Sequence, residues 1–263
     1  MHPFLKWAGG KRWLFTKAFV EQLPMFNRYL EPFLGGGAGF FAVEPDSAII
    51  SDINANLIEL YCVMRDEPSK LKRKMELHQE KHSREYYYKI RSQAPTTAVT
   101  RAARTLYLNR TCWNGLYRLN KLGIFNVPIG TKNTVLMPND DFQKFSNILS
   151  KAKILCCDFE VTISQAKSGD FIFVDPPYTV KHNLNGFIKY NETIFSWTDQ
   201  IRLRNALFDA HKRGASFILT NANHESVKEL YRDFKQKEEI SRASIISGRI
   251  EGRSLTSELM VRA

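Results

Sequence analysis

Residues 28–52 read RYLEPFLGGGAGFFAVEPDSAIISD and alternate between apolar runs and a cluster of glycines. A strand-like run at 28–33 enters the glycines, and a short apolar helix follows from Phe40. The residues at 48–51 have the composition of a buried strand, with Asp52 at its carboxyl end. The stretch therefore predicts strand, tight loop, helix and strand, a unit from which parallel sheets are built.

The rest of the chain extends this alternation. Helical spacing covers most of 57–108, and strand patterns follow near 154–156, at 170–175 and at 216–220. Ser196 and Asp199 have capping-box spacing for a helix that Gly214 closes. Another helix is predicted over 226–234, and two terminal strands flank a loop at 247–254. The pattern predicts an open, mainly parallel, Rossmann-like α/β sheet that binds ligands beyond the carboxyl ends of its strands.

Residues 57–138 interrupt the alternation and hold most of the net charge. They contain fifteen Lys or Arg and six Asp or Glu, which is +9 of the chain's +11. No acidic residue occurs from 92 to 138, where basic residues stand among aromatic ones. This composition suits phosphate contact and base stacking, although a solvated basic helical face gives the same pattern. We expect a mainly helical insertion at 57–138 between two parts of the sheet domain, 1–56 and 139–263.

Composition excludes several classes of protein. With 43% hydrophobic and 25% charged residues, the chain has the make-up of a soluble globular protein. No apolar run approaches the roughly 20 residues that span a bilayer, and residues 1–11 lack the layout of a secretory signal, so we expect a cytoplasmic protein. The four cysteines form no C-x-x-C spacing, which argues against a metal site.

The glycine cluster points to a nucleoside-containing cofactor. Phe40 occupies the third glycine position of a G-x-G-x-x-G pattern counted from Gly35, which disfavours a nicotinamide oxidoreductase. A glycine turn still lets the backbone approach a ligand closely, and Asp52 could accept hydrogen bonds from a ribose. A simple tight turn would have the same residues.

Asp175-Pro176-Pro177-Tyr178 follows the predicted core strand directly. Proline cannot continue a central strand, so the chain must leave the sheet there with two rigid imides. An exocyclic aromatic amine is a poor nucleophile, because its lone pair is delocalised into the ring. The Asp175 carboxylate and the Pro176 carbonyl could accept its two hydrogens while Tyr178 stacks on the base.

This segment resembles the catalytic motif of amino-methyltransferases, and nearly the whole chain resembles the Dam-type DNA adenine methyltransferase family. LKWAGGK at 5–11 is similar to the family's N-terminal motif, EPFLGGG at 31–37 to its cofactor loop, and DIN at 52–54 to its ribose-binding acid. NGLYR at 114–118 and FNVP at 125–128 resemble its DNA-recognition hairpin.

The resemblance implies S-adenosylmethionine as the cofactor and double-stranded DNA as the substrate, with a recognition domain at 57–138 whose hairpin spans 112–130. Cofactor contacts are implied for Trp7, Lys11, Phe33, Gly35, Gly37, Asp52, Asp158, Phe159 and Asp175. Lys6 and Arg118 would read guanine, Leu116 and Pro128 would touch neighbouring bases, and Trp113 would insert into the base stack. DNA contacts are also expected for Arg101, Arg110, Asn114, Asn126 and Lys132. The family commonly targets GATC.

Two departures concern recognition: Cys112 stands where the family often has glycine, and Thr131-Lys132 replaces a commoner Arg-Tyr pair. Cytosine-C5 methylation is set aside because no Pro-Cys pair is present. Cytosine-N4 methylation stays open, although its enzymes more often carry Ser-Pro-Pro-Tyr. A DNA-binding relative without catalytic activity stays open as well. The oligomeric state, with a monomer as the working expectation, and a partner restriction endonuclease acting on the same site also stay open.

Overall fold

The computed structural model describes residues 1–120, 123–181, 195–243 and 255–263. The chain forms two compact units, one made of Met1–Glu21 and Leu34–Cys156, the other of Gln22–Phe33 and Cys157–Ala263. No helix in the described ranges has both the length and the apolar character that crossing a bilayer requires. The domain boundaries expected near residues 56 and 138 stay a prediction.

The first unit is mainly helical. Its helices are α1 (Lys17–Glu21), α2 (Ala38–Val43), α3 (Ala55–Asp66), α4 (Pro68–Lys81), α5 (Arg84–Ser92), α6 (Ala98–Thr111) and α7 (Phe142–Leu149). Asn54, Ser83, Thr97 and Asp141 begin four of them with side-chain caps. The helical interruption predicted after residue 56 is confirmed by the consecutive helices α3 to α6.

Two parallel strands belong to this unit, β2 (Ala48–Asp52) and β3 (Ala152–Cys156), in register from Ala48 opposite Ala152 to Asp52 opposite Cys156. A 3-10 turn at Trp113–Gly115 follows α6. Antiparallel bridges join Cys112 to Ile129 and Leu119 to Phe125, so the predicted hairpin is formed in the described part of 112–130. Residues 121–122 of the hairpin lie outside the described residues.

The second unit contains β1 (Tyr29–Glu31), β4 (Phe171–Val174), β5 (Ser216–Ala222), β6 (Gln236–Ala243) and β7 (Leu255–Arg262). Their order is β1-β4-β5-β7-β6, with the β1–β4 and β4–β5 pairs parallel and both pairs of β7 antiparallel. The α/β class is confirmed. The sheet contains more antiparallel pairing than the sequence predicts. Strands β6 and β7 follow each other in the chain and pair in antiparallel orientation.

Within the described part of this unit, three helices accompany the strands: α8 (Phe159–Ile163), α9 (Trp197–Lys212) and α10 (Glu225–Leu230). The capping box of Ser196 and Asp199 is confirmed, and Gly214 follows α9 with a φ of 91°. Helix α10 is shorter than the predicted 226–234, because Phe234 is buried outside the helix and packs edge-on against Phe217 at 5.0 Å. The predicted loop at 247–254 lies outside the described residues.

An ion pair joins the beginnings of β1 and β4. The Arg28 guanidinium donates to both carboxylate oxygens of Asp170, and the Arg28 carbonyl accepts from the Phe171 N–H at 2.9 Å. Tyr29 and Phe171 stand opposite each other in the register, and both are fully buried. These contacts fix the beginning of β4 against the beginning of β1 within this unit.

Candidate active site

The glycine loop of the first unit is held against Asp52. The Asp52 carboxylate accepts from the Gly35 N–H at 2.9 Å and, with its other oxygen, from the Asn54 N–H at 2.9 Å. Burial raises the pKa of Asp52, and hydrogen bonds from backbone N–H groups, including those of Asn54 and Gly35, oppose that rise. The carboxylate predicted to bind a ribose therefore also orders the loop.

Gly35 and Gly37 have left-handed backbones, with φ of 46° and 69°. A Cβ at Gly35 would lie 2.8 Å from Trp7 Cδ1, and one at Gly37 would lie 2.9 Å from the Tyr61 hydroxyl. A larger residue at either position would have a strained left-handed backbone, and its side chain would collide with Trp7 or Tyr61. The loop thus requires glycine at both positions, and their N–H groups are paired within the unit, with Asp52 and with the Leu34 carbonyl.

Trp7 and Lys11 come from the N-terminal motif of the same unit. The Trp7 ring is stacked on Tyr117 with 5.2 Å between centroids. Lys11 is buried, and its ammonium donates to the Gly9 carbonyl at 3.0 Å. The motif therefore places Trp7 against both the glycine loop and the hairpin at 112–130 of the first unit.

In the second unit, Asp175-Pro176-Pro177-Tyr178 follows β4 directly, as predicted. The Thr220 hydroxyl donates to Asp175 Oδ1 at 2.8 Å, and Tyr178 donates to Glu258 Oε2 at 2.8 Å. Burial raises the pKa of Tyr178 well above its usual value, and the negative charges of Asp175 and Glu258 raise it further. Tyr178 is therefore a neutral phenol throughout the physiological range.

Aromatic rings cluster near the start of α8. Phe33 is stacked on Phe159 at 5.3 Å, and Phe195 meets both rings edge-on. The Arg202 guanidinium lies 4.9 Å from the centroid of Phe159 and also donates to Asp158 at 3.0 Å. Asp158 in turn caps α8. These residues form a largely buried aromatic cluster with a guanidinium over one ring and a carboxylate beside it.

Most of the predicted DNA contacts are accessible on the first unit. Trp113 is 51% exposed, and Asn114 beside it has a left-handed φ of 55°. Arg118 donates to Asn126 at 3.3 Å, and both side chains are exposed. The remaining hairpin and neighbouring residues are exposed or half-buried: Lys6, Leu116, Pro128 and Lys132.

Lys6 belongs to this surface although it comes from the N-terminal motif. Partial burial lowers the pKa of Lys6, and the nearby positive charges of Lys132 and Arg12 lower it further. Buried Asn109 of α6 binds the Lys6 backbone. A cluster of cations near Lys6 is suited to electron-rich atoms of DNA.

Arg110 and Arg101 are engaged within the protein. Arg110 is 5% exposed, pairs with Asp140, and donates to the carbonyls of Phe4 and Val135. Arg101 makes a bidentate pair with Glu59. The contacts favour a structural role for Arg110 over the DNA contact expected of it, because a buried and saturated guanidinium cannot reach a phosphate without breaking them.

Four polar or aromatic residues of the second unit and one of the first did not stand out in the sequence: Phe195, Arg202, Thr220, Glu258 and Asn109. Thr220 and Glu258 lie in strands, where Thr220 has the appearance of an ordinary β-branched residue and Glu258 that of a polar residue at a sheet edge. No local signal identifies them, because each contacts a predicted residue more than forty positions away.

Known proteins resemble the chain over most of its length. A family model described as D12 class N6 adenine-specific DNA methyltransferase matches residues 7–245. The Type II methyltransferase M1.LlaDCHI of Lactococcus lactis subsp. cremoris is 37% identical over 243 residues, 89% of this chain and 86% of the relative. The DNA adenine methylase of Vibrio cholerae is 32% identical over 262 residues, 98% and 94% of the two chains. The DNA N-6-adenine-methyltransferase of Escherichia phage P1 is 37% identical over 232 residues, 87% of this chain and 31% of the relative.

The α/β fold and the carboxylate, prolines and tyrosine after β4 define a methyltransferase that acts on an amino group. The chain belongs to the D12 class N6 adenine-specific DNA methyltransferase family. It is an adenine-specific DNA methyltransferase, which confirms the predicted activity and decides against the cytosine-N4 alternative.

Proposed function

We propose that the enzyme uses S-adenosylmethionine to methylate N6 of an adenine that is flipped out of duplex DNA, in the sequence GATC. The observation that carries the proposal is the position of Asp175, directly after buried β4, with its carboxylate held by a hydrogen bond. Parallel strands present their ligands beyond this end. Flipping costs a few kcal/mol, which aromatic insertion and phosphate contacts can offset.

The residues present fit the cofactor. Glycines at 35 and 37 let the loop pack closely against Trp7 and Tyr61, and Asp52 at the end of β2 supplies the acidic acceptor that a ribose requires. We assign Trp7, Lys11, Gly35, Gly37 and Asp52 of the first unit to it, and Phe33, Asp158, Phe159 and Asp175 of the second. S-adenosylmethionine, when bound, supplies an activated methyl group on a cationic sulfur.

The protein's own contribution is to sharpen and hold the adenine amine. Asp175 and the Pro176 carbonyl accept hydrogen bonds from the two N6–H groups, which localises the nitrogen lone pair, and Tyr178 stacks on the base; N6 releases one proton to solvent once it carries the methyl group. Pro177 keeps the segment rigid. No covalent enzyme intermediate is required, so positioning and electrostatics supply most of the acceleration.

The cofactor and product are tested with radiolabelled S-adenosylmethionine and duplex DNA, followed by identification of the labelled nucleoside. Asp175→Ala should lower kcat by at least about 100-fold, the scale of one lost electrostatic contact, while duplex binding persists. Asp46→Ala, which removes an exposed carboxylate, is the matched control. Full turnover by Asp175→Ala would remove Asp175 from the reaction.

Sequence recognition is assigned to Lys6, Trp113, Asn114, Leu116, Arg118, Asn126, Pro128 and Lys132, with Arg101 restricted to phosphate contact. Arg118→Ala should cost about 1–3 kcal/mol of discrimination between GATC and altered duplexes, with a smaller effect on random DNA. Arg232→Ala, an exposed arginine of the second unit, is the control. Equal losses on both duplexes would show that Arg118 does not read a base.

The relatives' names also bear on biological context. M1.LlaDCHI carries the designation Type II methyltransferase, so we propose a restriction endonuclease of the same specificity as a partner. DNA isolated from cells that express the enzyme should resist cleavage by a GATC-specific nuclease that is blocked by N6-methyladenine. If DNA from cells that express the active enzyme is still cleaved at GATC, the assigned target is wrong.

A further inference from the structure

Two buried polar side chains on neighbouring strands contact the Asp-Pro-Pro-Tyr segment. Thr220 of β5 is fully buried and donates to Asp175 Oδ1 at 2.8 Å. Glu258 of β7 is 3% exposed and accepts from the Tyr178 hydroxyl at 2.8 Å. Each contact joins a reacting-site side chain to the interior of the sheet.

The strand register accounts for both contacts. Val174 pairs with Leu219, so the next residues along the two parallel strands are Asp175 and Thr220. Glu258 pairs with Ala222, two positions beyond Thr220 on β5. The two contacts therefore originate in the sheet itself, where side chains are held more rigidly than on a loop.

Each contact restricts a different degree of freedom. The terminal torsion of an aspartate is broad, so a carboxylate without a fixed donor can rotate. The Thr220 hydroxyl limits that rotation by holding Oδ1. Tyr178 keeps its proton, because burial and the charges of Asp175 and Glu258 raise its pKa, so its hydroxyl remains a donor to Glu258 and the orientation of its ring is maintained.

We propose that Thr220 and Glu258 are positioning residues for methyl transfer, with Thr220 setting the plane of the Asp175 carboxylate and Glu258 setting the ring of Tyr178. The proposal rests on the roles assigned above to Asp175 and Tyr178. It adds two residues that act through others and touch neither base nor cofactor.

Thr220→Val removes the hydroxyl and keeps the shape of the side chain. We expect kcat to fall about 10- to 100-fold, the effect of losing a hydrogen bond to a charged group, with KM for DNA and S-adenosylmethionine within about threefold. The acid limb of the kcat profile should move to higher pH, because the hydroxyl stabilises the ionised carboxylate. Thr220→Ser should restore kcat to within about threefold of wild type.

Ser216→Ala is the control, since it removes another hydroxyl of β5 that donates to the Asp170 carbonyl at the other end of the strand. It should leave kcat and the acid limb in place. If Thr220→Val does not fold, Thr220→Ala and Thr220→Ser provide the same comparison. Wild-type kcat in the folded variant without a hydroxyl, or an unmoved acid limb, overturns the role of Thr220.

A double-mutant cycle tests Glu258. Glu258→Leu, which removes the acceptor, and Tyr178→Phe, which removes the donor, should each lower kcat about 10-fold, and the double variant should be no slower than either, because both changes break the same hydrogen bond. Glu238→Gln, which removes an exposed carboxylate of β6, is the control. If the fold-losses of kcat in the two single variants multiply in the double variant, the role of Glu258 is wrong.

Failure of this inference is distinguishable from failure of the proposed site. If Asp175→Ala turns over at the wild-type rate, the site assignment itself is wrong. If Asp175→Ala is inactive while the Thr220 and Glu258 variants behave as wild type, the assignment stands and the positioning roles are wrong.

Discussion

The side-chain amide of Asn109 binds both backbone polar groups of Lys6. Its oxygen accepts from the Lys6 N–H at 3.0 Å, and its nitrogen donates to the Lys6 carbonyl at 2.7 Å. A Cβ at neighbouring Gly115 would lie 2.8 Å from Lys6 Cδ, so the turn at 113–115 also restrains Lys6. Asn109, a buried residue of α6, also donates to the Gly115 carbonyl at 3.5 Å, so it joins the N-terminal motif to the hairpin at 112–130.

Replacing Asn109 with Ala should loosen Lys6 and weaken recognition. Two backbone groups lose their partner, which should cost about 1–3 kcal/mol in the free energy of unfolding measured with urea. Discrimination between GATC and altered duplexes should fall as well. Asn147→Ala, an exposed asparagine of α7, is the control. Unchanged discrimination would indicate that Asn109 serves stability alone.

Gly35→Ala should impair cofactor binding by displacing Trp7. The added Cβ would meet Trp7 Cδ1 at 2.8 Å, on a backbone with φ of 46°. We expect a loss of stability of about 1–3 kcal/mol from backbone strain and at least about a tenfold weaker S-adenosylmethionine affinity by calorimetry. Gly123→Ala has a similar left-handed φ with no atom within 4 Å, so it should show strain without the affinity loss.

Arg110→Met should destabilise the fold without changing the salt dependence of DNA binding. Asp140 would be left buried without its cation, which typically costs about 3–5 kcal/mol. Lys132→Ala, by contrast, should leave stability near wild type and reduce the slope of log affinity against log salt by about 0.9, if it contacts one phosphate. A stable Arg110→Met protein with a reduced slope would restore Arg110 to the DNA interface.

His78 should make the helical region sensitive to acid. Burial lowers the pKa of His78 to about 4, with added repulsion from Lys74 and Lys81, and the Tyr86 hydroxyl lies 2.9 Å from Nδ1. The unfolded chain binds this proton more readily, so stability is complete above about pH 6.5 and declines as pH falls toward 4.

The slope of that decline is at most about 1.4 kcal/mol per pH unit. Urea unfolding at several pH values should show a shallower decline for His78→Phe, which can still stack on Tyr107. His2→Gln, an exposed histidine, is the control. Parallel decline in all three proteins would exclude His78 as the titrating group.

Local patterns were sufficient for the strands and the chemical motif. Strand β2 at 48–52 and the carboxylate after β4 follow from apolar runs that end in a polar or imide residue, a signal contained within a few positions. The capping box of Ser196 is equally local. Such features are predictable because the residues that determine them are neighbours in the chain.

Contacts between distant positions were not predictable. Arg110 has the appearance of a surface cation on a basic helix, and only the fold brings Asp140, thirty positions later, against it. Thr220 resembles any β-branched strand residue until the register sets it beside Asp175. Whether a polar residue is a surface group or a buried partner depends on tertiary pairing, which periodicity does not encode.

The pairing of β1 with β4 has a consequence for synthesis. The Arg28–Asp170 ion pair and the strand register behind it join positions 142 apart in the chain. A ribosome adding about 5–20 residues per second needs on the order of 10 s to supply that partner. The Tyr29–Glu31 segment therefore emerges from the exit tunnel well before β4 exists, and it must wait for its partner strand during that interval.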